Sequence, residues 1–277
     1  VFSSIIFLWV LLPCILLLYY VSPKPFKNGI LTVFSLFFYA WGDPRYVVLM
    51  IFSVLLNYGF GRLVEKFGKK RWLLALCVTL NLLILGYFKY YNFLAEVLNP
   101  LLRGFDIALP AIQVTLPIGI SFYTFQSVGY ILDVYWKRYE PEKNIFKFAL
   151  FVSFFPQILQ GPIGRYSNLA HQFYEEHSFD FMRIERGVQR ILWGFFKKMV
   201  IADTAAVFVD AIFDQYQTYN GLAILGVLAY SAQLYGDFSG GMDAVIGIAS
   251  MFGIEMDENF KRPYFSISIT DFWQRWH

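Results

Sequence analysis

Residues 2–21, FSSIIFLWVLLPCILLLYYV, decide the class of fold because they form an almost uninterrupted apolar stretch. A helix needs about 20 mostly apolar residues to cross the hydrocarbon core of a bilayer, and this stretch has that length. A second stretch of this kind covers residues 72–91. The sequence therefore predicts a chain whose helices lie in a membrane.

The composition of the whole chain supports a membrane environment. Its 277 residues are 57% hydrophobic and only 16% charged, and 21% are aromatic. A soluble globular domain carries about 25% charged residues, so this chain has too little polar surface for a fold that faces water. The net charge of +3 is too small to indicate a nucleic-acid partner.

Further apolar segments predict an all-α, polytopic integral membrane protein. Residues 29–41 and 46–60 are each short for a span, and the turn sequence WGDP at 41–44 separates them. These two segments predict a helical hairpin. Residues 107–136 are long enough to cross the bilayer with a tilt, although two prolines interrupt their first part.

The placement of basic residues predicts an orientation. If the spans alternate, three of the loops that follow them lie on the same side of the membrane. Cytoplasmic loops are enriched in Lys and Arg, so this asymmetry predicts a multi-pass protein of the cell membrane with its N-terminus outside. The loops hold eleven basic residues: Lys24, Lys27, Arg62, Lys66, Lys69, Lys70, Arg71, Lys137, Arg138, Lys143 and Lys147.

The second half of the chain predicts shorter and interrupted helices. Residues 165–186 are too polar to span and predict a helix in the membrane interface, while Asp180 is a candidate N-cap for the helix that follows. Residues 222–236 predict another helix, and the sequence FSGG at 238–241 predicts a break after it. Such breaks occur at membrane depth only where protein or a water-filled cavity surrounds them. We therefore expect broken or re-entrant helices here.

Ionisable residues inside apolar segments are costly and often functional. Asp237 and Asp243 flank the predicted break, where they would either line a cavity or cap a broken helix. Lys197 and Lys198 are further candidates, although long side chains of this kind can extend to the headgroups instead. Both alternatives stay open from the sequence alone.

The histidines near the middle of the chain do not predict a metal site. His171 and His177 lie beside Glu175 and Glu176, but no third or fourth ligand follows at a suitable spacing. A solvated face of an interfacial helix is the favoured interpretation of this stretch.

The final residues predict a short capped helix. The sequence SITD at 268–271 has the form of a capping box. A helix from residue 269 would place Trp273 and His277 on one face and would pair Asp271 with Arg275. Spacing alone leaves two interpretations of His277 open, catalysis and packing.

Several separated motifs resemble one enzyme family. Residues 233–277, which end in ITDFWQRWH, strongly resemble the membrane-bound O-acyltransferase family and, within it, the bacterial branch that acetylates alginate. LPIGISFYTFQSVGYILDVYW at 116–136 and FFPQILQGPIGRY at 154–166 are similar to the same branch, as are VFSSIIFLWVLLP at 1–13 and FYAWGDP at 38–44. The resemblance covers nearly the whole chain.

This resemblance implies a fold in which helices surround a central tunnel, with residues 1–277 forming a single, incomplete domain. Residues 1–106 would be N-terminal membrane helices, and residues 107–277 the first part of the acyltransferase core. His277 ends the DFWxRWH motif, one of two polar positions associated with the active site of the family. The principal histidine is expected beyond the end of the chain, so the resemblance implies a C-terminal truncation that is inactive alone.

The resemblance and the positions of the residues together give a set of tunnel or substrate-contacting candidates. Under this hypothesis the tryptophans wall the tunnel and exclude water, and Arg275 holds an acidic neighbour or meets a phosphate of the donor. Aromatic packing and a plain ion pair are equally good interpretations. Besides His277, the candidates are Asp237, Asp243, Trp273, Arg275 and Trp276.

The resemblance also implies substrates and partners. The donor would be cytoplasmic acetyl-coenzyme A or an acyl-carrier thioester, with no bound cofactor, and the acyl group would pass outwards to a polysaccharide hydroxyl by way of an extracellular acetyl-accepting protein. The alternative within the family is D-alanyl transfer to teichoic acid. A secondary transporter is an alternative of another class, because broken helices with acidic residues near the midplane are typical of transporters. A non-catalytic membrane scaffold is a third.

Overall fold

A computed structural model of the chain describes residues 4–102, 109–110, 112–175 and 177–277, and it confirms the all-α prediction for them. Within these residues the β-type pairing is limited to one isolated bridge, between Phe260 and Trp276. The helices are α1 (Leu12–Val21, after a π-helical turn at Phe7–Leu11), α2 (Lys24–Gly42), α3 (Arg45–Phe67), α4 (Arg71–Leu102), α5 (Ile120–Tyr135), α6 (Ile145–Ser153), α7 (Phe155–Gln160), α8 (Tyr166–Leu169), α9 (Phe181–Phe195), α10 (Asp203–Asp214), α11 (Tyr216–Tyr219), α12 (Ala223–Met251) and α13 (Ile269–Arg275). A π-helical segment, Phe196–Ala202, joins α9 to α10.

Two of the described helices, α3 and α4, are long and apolar enough to cross a membrane. The prediction that residues 46–60 are too short for a span was wrong, because α3 continues through more polar residues as far as Phe67. At 1.5 Å per residue, its 23 residues extend for about 34 Å. The predicted turn at 41–44 is confirmed, since α2 ends at Gly42 and α3 begins at Arg45. The first predicted span appears as an apolar helix over Phe7–Val21, and residues 2 and 3 lie outside the described residues.

The predicted span over residues 107–136 is replaced by an irregular segment and a shorter helix. Residues 112–118 are not helical, and α5 has 16 residues. Gly119 at the N-cap has a φ of 71°, and a side chain there would collide with the backbone of Ile158, so only glycine suits this entry to the helix. Residues 107, 108 and 111 of the predicted span lie outside the described residues.

The chain divides into two compact units. Residues 31–159 and 165–170 form one unit, in which α3 and α4 meet at a buried polar pair. Asn57 and Asn81 exchange two amide hydrogen bonds of 3.0 and 2.9 Å, and both side chains are buried. Reciprocal pairing satisfies both amides in an apolar environment, where an unpaired polar group is costly.

The predicted interfacial helix over 165–186 was wrong. Among the described residues of this stretch, only α8 and a 3₁₀ turn precede the start of α9 at Phe181, and the apolar residues of the pattern, Tyr166, Leu169 and Phe173, are buried. The helical spacing therefore marked side chains of the protein core and not a lipid-facing stripe. The predicted cap at Asp180 is confirmed, because its carboxylate accepts hydrogen bonds from the backbone N–H groups of the first helical turn of α9.

The other unit comprises residues 1–30, 160–164 and 171–277, and its centre is a helical hairpin. Helix α9, the π-helical segment and α10 run continuously and pack antiparallel against α12. Glycines allow the two arms to approach closely. A Cβ atom on Gly240 would lie 2.5 Å from the carbonyl oxygen of Gly194, and one on Gly247 would lie 2.7 Å from that of Gly187.

The predicted break at FSGG, residues 238–241, was also wrong, because α12 continues through it without interruption. Glycine weakens an isolated helix by about 1 kcal/mol relative to alanine, but here it also removes the side chain that would hold the partner helix away. The glycines serve helix packing, as small residues do between membrane helices. The expectation of a re-entrant helix at this position fails for the same reason.

Replacement of Gly240 by alanine tests this packing. We expect Gly240→Ala to lower the free energy of unfolding by about 1–3 kcal/mol, because the added methyl group meets the backbone of α9. Gly129→Ala is the matched control, since nothing lies within 4 Å of the added atom in the middle of α5. Thermal unfolding in detergent measures both variants. Equal stability of the two would contradict the role of Gly240 in close helix packing.

Candidate active site

A polar cavity of about 180 Å³ lies within the hairpin unit, beside the π-helical segment. Its walls come from α9, the π-helical segment, α12 and the loop that follows α12. Charged side chains are concentrated there, although α12 is mostly apolar. The lining residues are Trp193, Lys197, Tyr235, Ser239, Met242, Asp243, Ile246, Glu258, Asn259, Phe260 and Arg262.

An ion-pair network forms one side of the cavity. The Lys197 ammonium pairs with the Asp243 carboxylate and donates a 3.0 Å hydrogen bond to the hydroxyl of Ser239. Arg190 donates to Asp243 at 3.0 Å and to Glu258 at 2.5 Å. The network therefore extends from the buried face of α12 to the loop after it.

Lys197 is buried inside the protein, whereas one of the two interpretations of the sequence had its side chain extend outwards. Its side chain is only 9% exposed, and its ammonium also lies 5.7 Å from the centre of the Tyr235 ring. Asp243 lines the cavity, as the other interpretation allowed. A buried charge of this kind is retained only where a partner neutralises it.

Lys198 and Asp237 form a separate and more exposed pair. Their charged atoms are 2.7 Å apart, and both side chains are about half exposed. Lys198 also pairs with Asp203 at 2.9 Å. Asp237 is absent from the cavity lining and caps no helix end, because α12 is continuous around it.

The two lysines lie on the π-helical segment. Its backbone hydrogen bonds are one residue longer than those of an α-helix; the N–H of Asp203 donates to the carbonyl of Lys198. Such segments occur mostly as single-turn insertions in α-helices and frequently at functional sites. Here the segment presents two successive ammonium groups to two different aspartates of α12, Asp237 and Asp243.

The capped helix predicted at residues 268–271 is confirmed. The hydroxyl of Ser268 accepts from the N–H of Asp271 at 3.1 Å, and Arg275 donates to the Asp271 carboxylate at 2.7 Å. The carboxylate also accepts from the N–H of Ile267. Arg275 therefore pairs with its acidic neighbour Asp271, which is one of the two roles expected for it. The other expected role was contact with a phosphate of the donor.

The predicted shared face of Trp273 and His277 was wrong. Helix α13 ends at Arg275, and Trp276 pairs with Phe260 in the isolated bridge. The chain turns there, so His277 leaves the helical path while Trp273 stays largely exposed. Trp276 stacks on Phe272 with ring centres 5.5 Å apart and packs edge-on against Phe260.

His277 lies beside the cavity. Its Nδ1 is 2.8 Å from the amide nitrogen of Asn259, a lining residue. Its ring is 4.7 Å from the ring of Phe238, measured between centres, and its side chain remains exposed. Within the described residues, the polar contact of the imidazole nitrogens is therefore the one between Nδ1 and Asn259.

The other two histidines lie elsewhere. His171 pairs with Glu175 at 3.5 Å on the surface, whereas His177 is buried and its Nε2 lies 2.6 Å from the carbonyl of Gln172. The predicted solvated face was therefore wrong for His177. Within the described residues no group of three metal-ligating side chains occurs, and Glu176 lies outside them.

No pattern in the sequence singles out Asn259, Arg190 or Glu258. Asn259 lies in the quoted stretch 233–277, but a neutral amide in a loop carries no periodic or charge signal. Arg190 belongs to the amphipathic helix α9, where a basic residue predicts only a polar face. Only the folded structure brings these three residues to the site, because each contacts a residue at least 18 positions away in sequence.

Comparison with known proteins identifies the family. A model of the membrane-bound O-acyltransferase family matches residues 142–277. The whole chain is 45% identical to "Probable alginate O-acetylase AlgI" of Pseudomonas putida and 33% identical to a peptidoglycan O-acetyltransferase of Helicobacter pylori. The chain belongs to the membrane-bound O-acyltransferase family.

The chain corresponds to only part of each of these relatives. The chain spans 58% of the length of each of those two proteins. A teichoic acid D-alanyltransferase of Bacillus subtilis is 30% identical over 58% of this chain and 41% of its own length. The match to the family model contains the cavity, its ion-pair network and His277, which places the described site inside the O-acyltransferase domain.

Two aspartates of α12 provide a matched test of the network. Asp243→Asn leaves the Lys197 ammonium buried without its counter-charge, so we expect a loss of about 3–5 kcal/mol in the free energy of unfolding. Asp237→Asn breaks a half-exposed pair and should cost less than about 1 kcal/mol. Denaturation in detergent compares them, and similar losses would contradict a buried Lys197–Asp243 pair.

The cap of α13 predicts a pH dependence. The hydrogen bond from Arg275, with that from the Ile267 backbone, lowers the pKa of Asp271 from its ordinary 3.8. The stabilisation is therefore complete above that value and is lost as the pH falls through the lower pKa of the folded state. We expect the NMR shift of the Ile267 amide to titrate below 3.8 and its midpoint to rise in Arg275→Gln. An unchanged midpoint would contradict this assignment.

Proposed function

We propose that the chain is the membrane part of an O-acetyltransferase that moves an acetyl group from a thioester donor to a hydroxyl group of a polysaccharide. The observation that carries the proposal is the position of His277. It lies at the edge of a polar cavity, inside a chain that matches an alginate O-acetylase along its whole length. A peptidoglycan O-acetyltransferase also matches the whole chain, which favours polysaccharide acceptors as a class.

The size of the cavity favours a small acyl group. The cavity has a volume of about 180 Å³. An acetyl group and the attacking hydroxyl fit such a space, whereas a long fatty acyl chain would need a channel beyond it. The paired charges along the wall provide a fixed polar environment of the kind that stabilises charge during a reaction.

The reaction needs a base and a group that stabilises negative charge. A neutral hydroxyl is a poor nucleophile, and histidine, with an ordinary pKa of about 6.5, is suited to remove its proton. The family resemblance assigns that role to a second histidine beyond residue 277. His277 then contacts the reacting groups, and the aromatic cluster around Trp276 shields the thioester from water.

The membrane arrangement belongs to the same proposal. Helices α3 and α4 cross the bilayer of the cell membrane together with further helices that surround a tunnel. The donor is acetyl-coenzyme A on the cytoplasmic side, and the acetyl group passes to an extracellular partner protein and then to the polysaccharide. The asymmetric basic loops support this direction.

A second candidate is D-alanyl transfer from a carrier protein to teichoic acid. The match to a teichoic acid D-alanyltransferase favours it, although that match covers a smaller part of the chain. The cavity would accommodate either acyl group. The transporter alternative rested on a broken helix, and that helix is continuous.

Transfer of label from acetyl-coenzyme A tests the function. Membranes that contain the complete reading frame and its partner proteins are supplied with labelled donor, and label in polysaccharide is measured. We expect His277→Ala to lose about 100-fold or more of the wild-type rate, as expected for loss of a group that stabilises developing charge. His171→Ala is the matched control, because this exposed histidine lies outside the cavity lining.

Each other outcome of this experiment points to a specific alternative. Full activity of His277→Ala at equal protein level would remove His277 from the active site. Transfer only from a D-alanyl carrier protein would establish the second candidate. Absence of transfer from both donors by the wild type would reject the acyltransferase proposal for this protein.

A further inference from the structure

Asn259 is held between two acceptors. Its amide nitrogen, Nδ2, lies 2.8 Å from Nδ1 of His277 and 3.3 Å from the sulfur of Met242. Met242 belongs to α12 and is buried, so its sulfur is a fixed point of the core. The loop residue Asn259 thus connects the packed helix to the histidine at the edge of the cavity.

The sulfur determines which way the amide faces. A thioether sulfur accepts hydrogen bonds weakly and cannot donate one. If the amide were reversed, its oxygen would face the sulfur, and two acceptors would be in contact with no hydrogen between them. The structure therefore favours the orientation in which one N–H of Asn259 points to Met242 and the other points to His277.

This orientation fixes the protonation of the imidazole. An amide N–H can only donate, so Nδ1 of His277 must be the acceptor and must carry no proton. A neutral imidazole then carries its proton on Nε2, the nitrogen that faces away from Asn259. In this state Nε2–H is a hydrogen-bond donor, and it has no lone pair with which to take a proton from a hydroxyl.

We propose that Asn259 is a positioning residue that holds His277 in the Nε2–H tautomer, so that His277 donates to the oxygen that becomes negative during acyl transfer. This inference rests on the proposed O-acyltransferase function and selects one role for His277 within it. Asn259 acts through His277 and does not contact the substrate.

The step balances with a separate base. The acceptor hydroxyl oxygen forms a bond to the thioester carbonyl carbon, its proton passes to a general-base histidine elsewhere in the complete protein, and the carbonyl electron pair moves onto oxygen. That oxyanion accepts the hydrogen bond from Nε2–H of His277. The carbonyl then re-forms as the carbon–sulfur bond breaks, and the thiolate leaves with the proton held by the base.

A spectroscopic test reads the tautomer without any activity. The complete protein is labelled with ¹⁵N at its histidine side chains, and the signals of His277 are identified by their loss in His277→Gln. We expect the wild type to carry its proton on Nε2. In Asn259→Asp a carboxylate accepts at Nδ1, so the proton should move to that nitrogen. A wild-type proton on Nδ1 would overturn the inference.

A kinetic test separates donation from proton removal. The side-chain amide of glutamine donates a hydrogen bond but is not a base, so His277→Gln should keep at least about tenfold more activity than His277→Ala, in which no donor remains. Asn259→Asp should lower kcat by about 100-fold, the loss expected when one donor to the oxyanion is removed, with a much smaller change in KM. Equal inactivity of His277→Gln and His277→Ala would overturn the role as donor.

Two further variants distinguish positioning from folding. Met242→Leu conserves volume but removes the sulfur, so the amide loses its fixed orientation and both tautomers should be detected. Gln274→Glu adds the same charge as Asn259→Asp on the exposed side of α13 and should keep the wild-type tautomer and rate. If Gln274→Glu changed the tautomer as Asn259→Asp does, charge alone would explain the effect and the inference would fail. If no variant and no wild type transfers acetyl, the function fails while the spectra still decide the tautomer.

Discussion

The close approach of α9 and its π-helical extension to α12 is the constraint on which the site depends. Where a side chain would normally separate two helices, glycines leave backbone against backbone. Lys197 follows Gly194 in the chain and is buried beside this contact, so its ammonium needs a counter-charge within the protein. Asp243 provides the opposite charge from α12. A polar cavity is thereby built into an apolar hairpin.

The network transmits the packing of the hairpin to the loop that follows α12. Asp243 holds Arg190, and Arg190 holds Glu258, the residue next to Asn259. The sulfur of Met242 adds a second connection from the same helix to Asn259. These contacts connect Asn259, the partner of His277, to the packed helices, and α13 ends before the histidine. The histidine follows the end of α13, and its partner Asn259 contacts the buried side chain of Met242.

The sequence predicted the elements that depend on neighbouring residues. The caps at Asp180 and Ser268 and the turn at Gly42 were all predicted, because a cap or a turn is made by residues within four positions of one another. The membrane character and the family also follow from the sequence, from its hydropathy and from contiguous motifs. The active-site role of His277 was predicted only through the resemblance, since spacing alone left both packing and catalysis open and favoured packing.

The predictions that failed depend on contacts between distant residues. Glycine in an apolar helix indicates either a break or a close helix contact, and only the presence of a partner such as Gly194 decides between them. The face shared by Trp273 and His277 required α13 to continue, and the bridge from Trp276 to Phe260 ends it. In both cases a helix was predicted correctly, but its extent was predicted wrongly. The contact with Gly194 lets α12 continue where a break was expected. The bridge between Trp276 and Phe260 ends α13 where the helix was expected to continue.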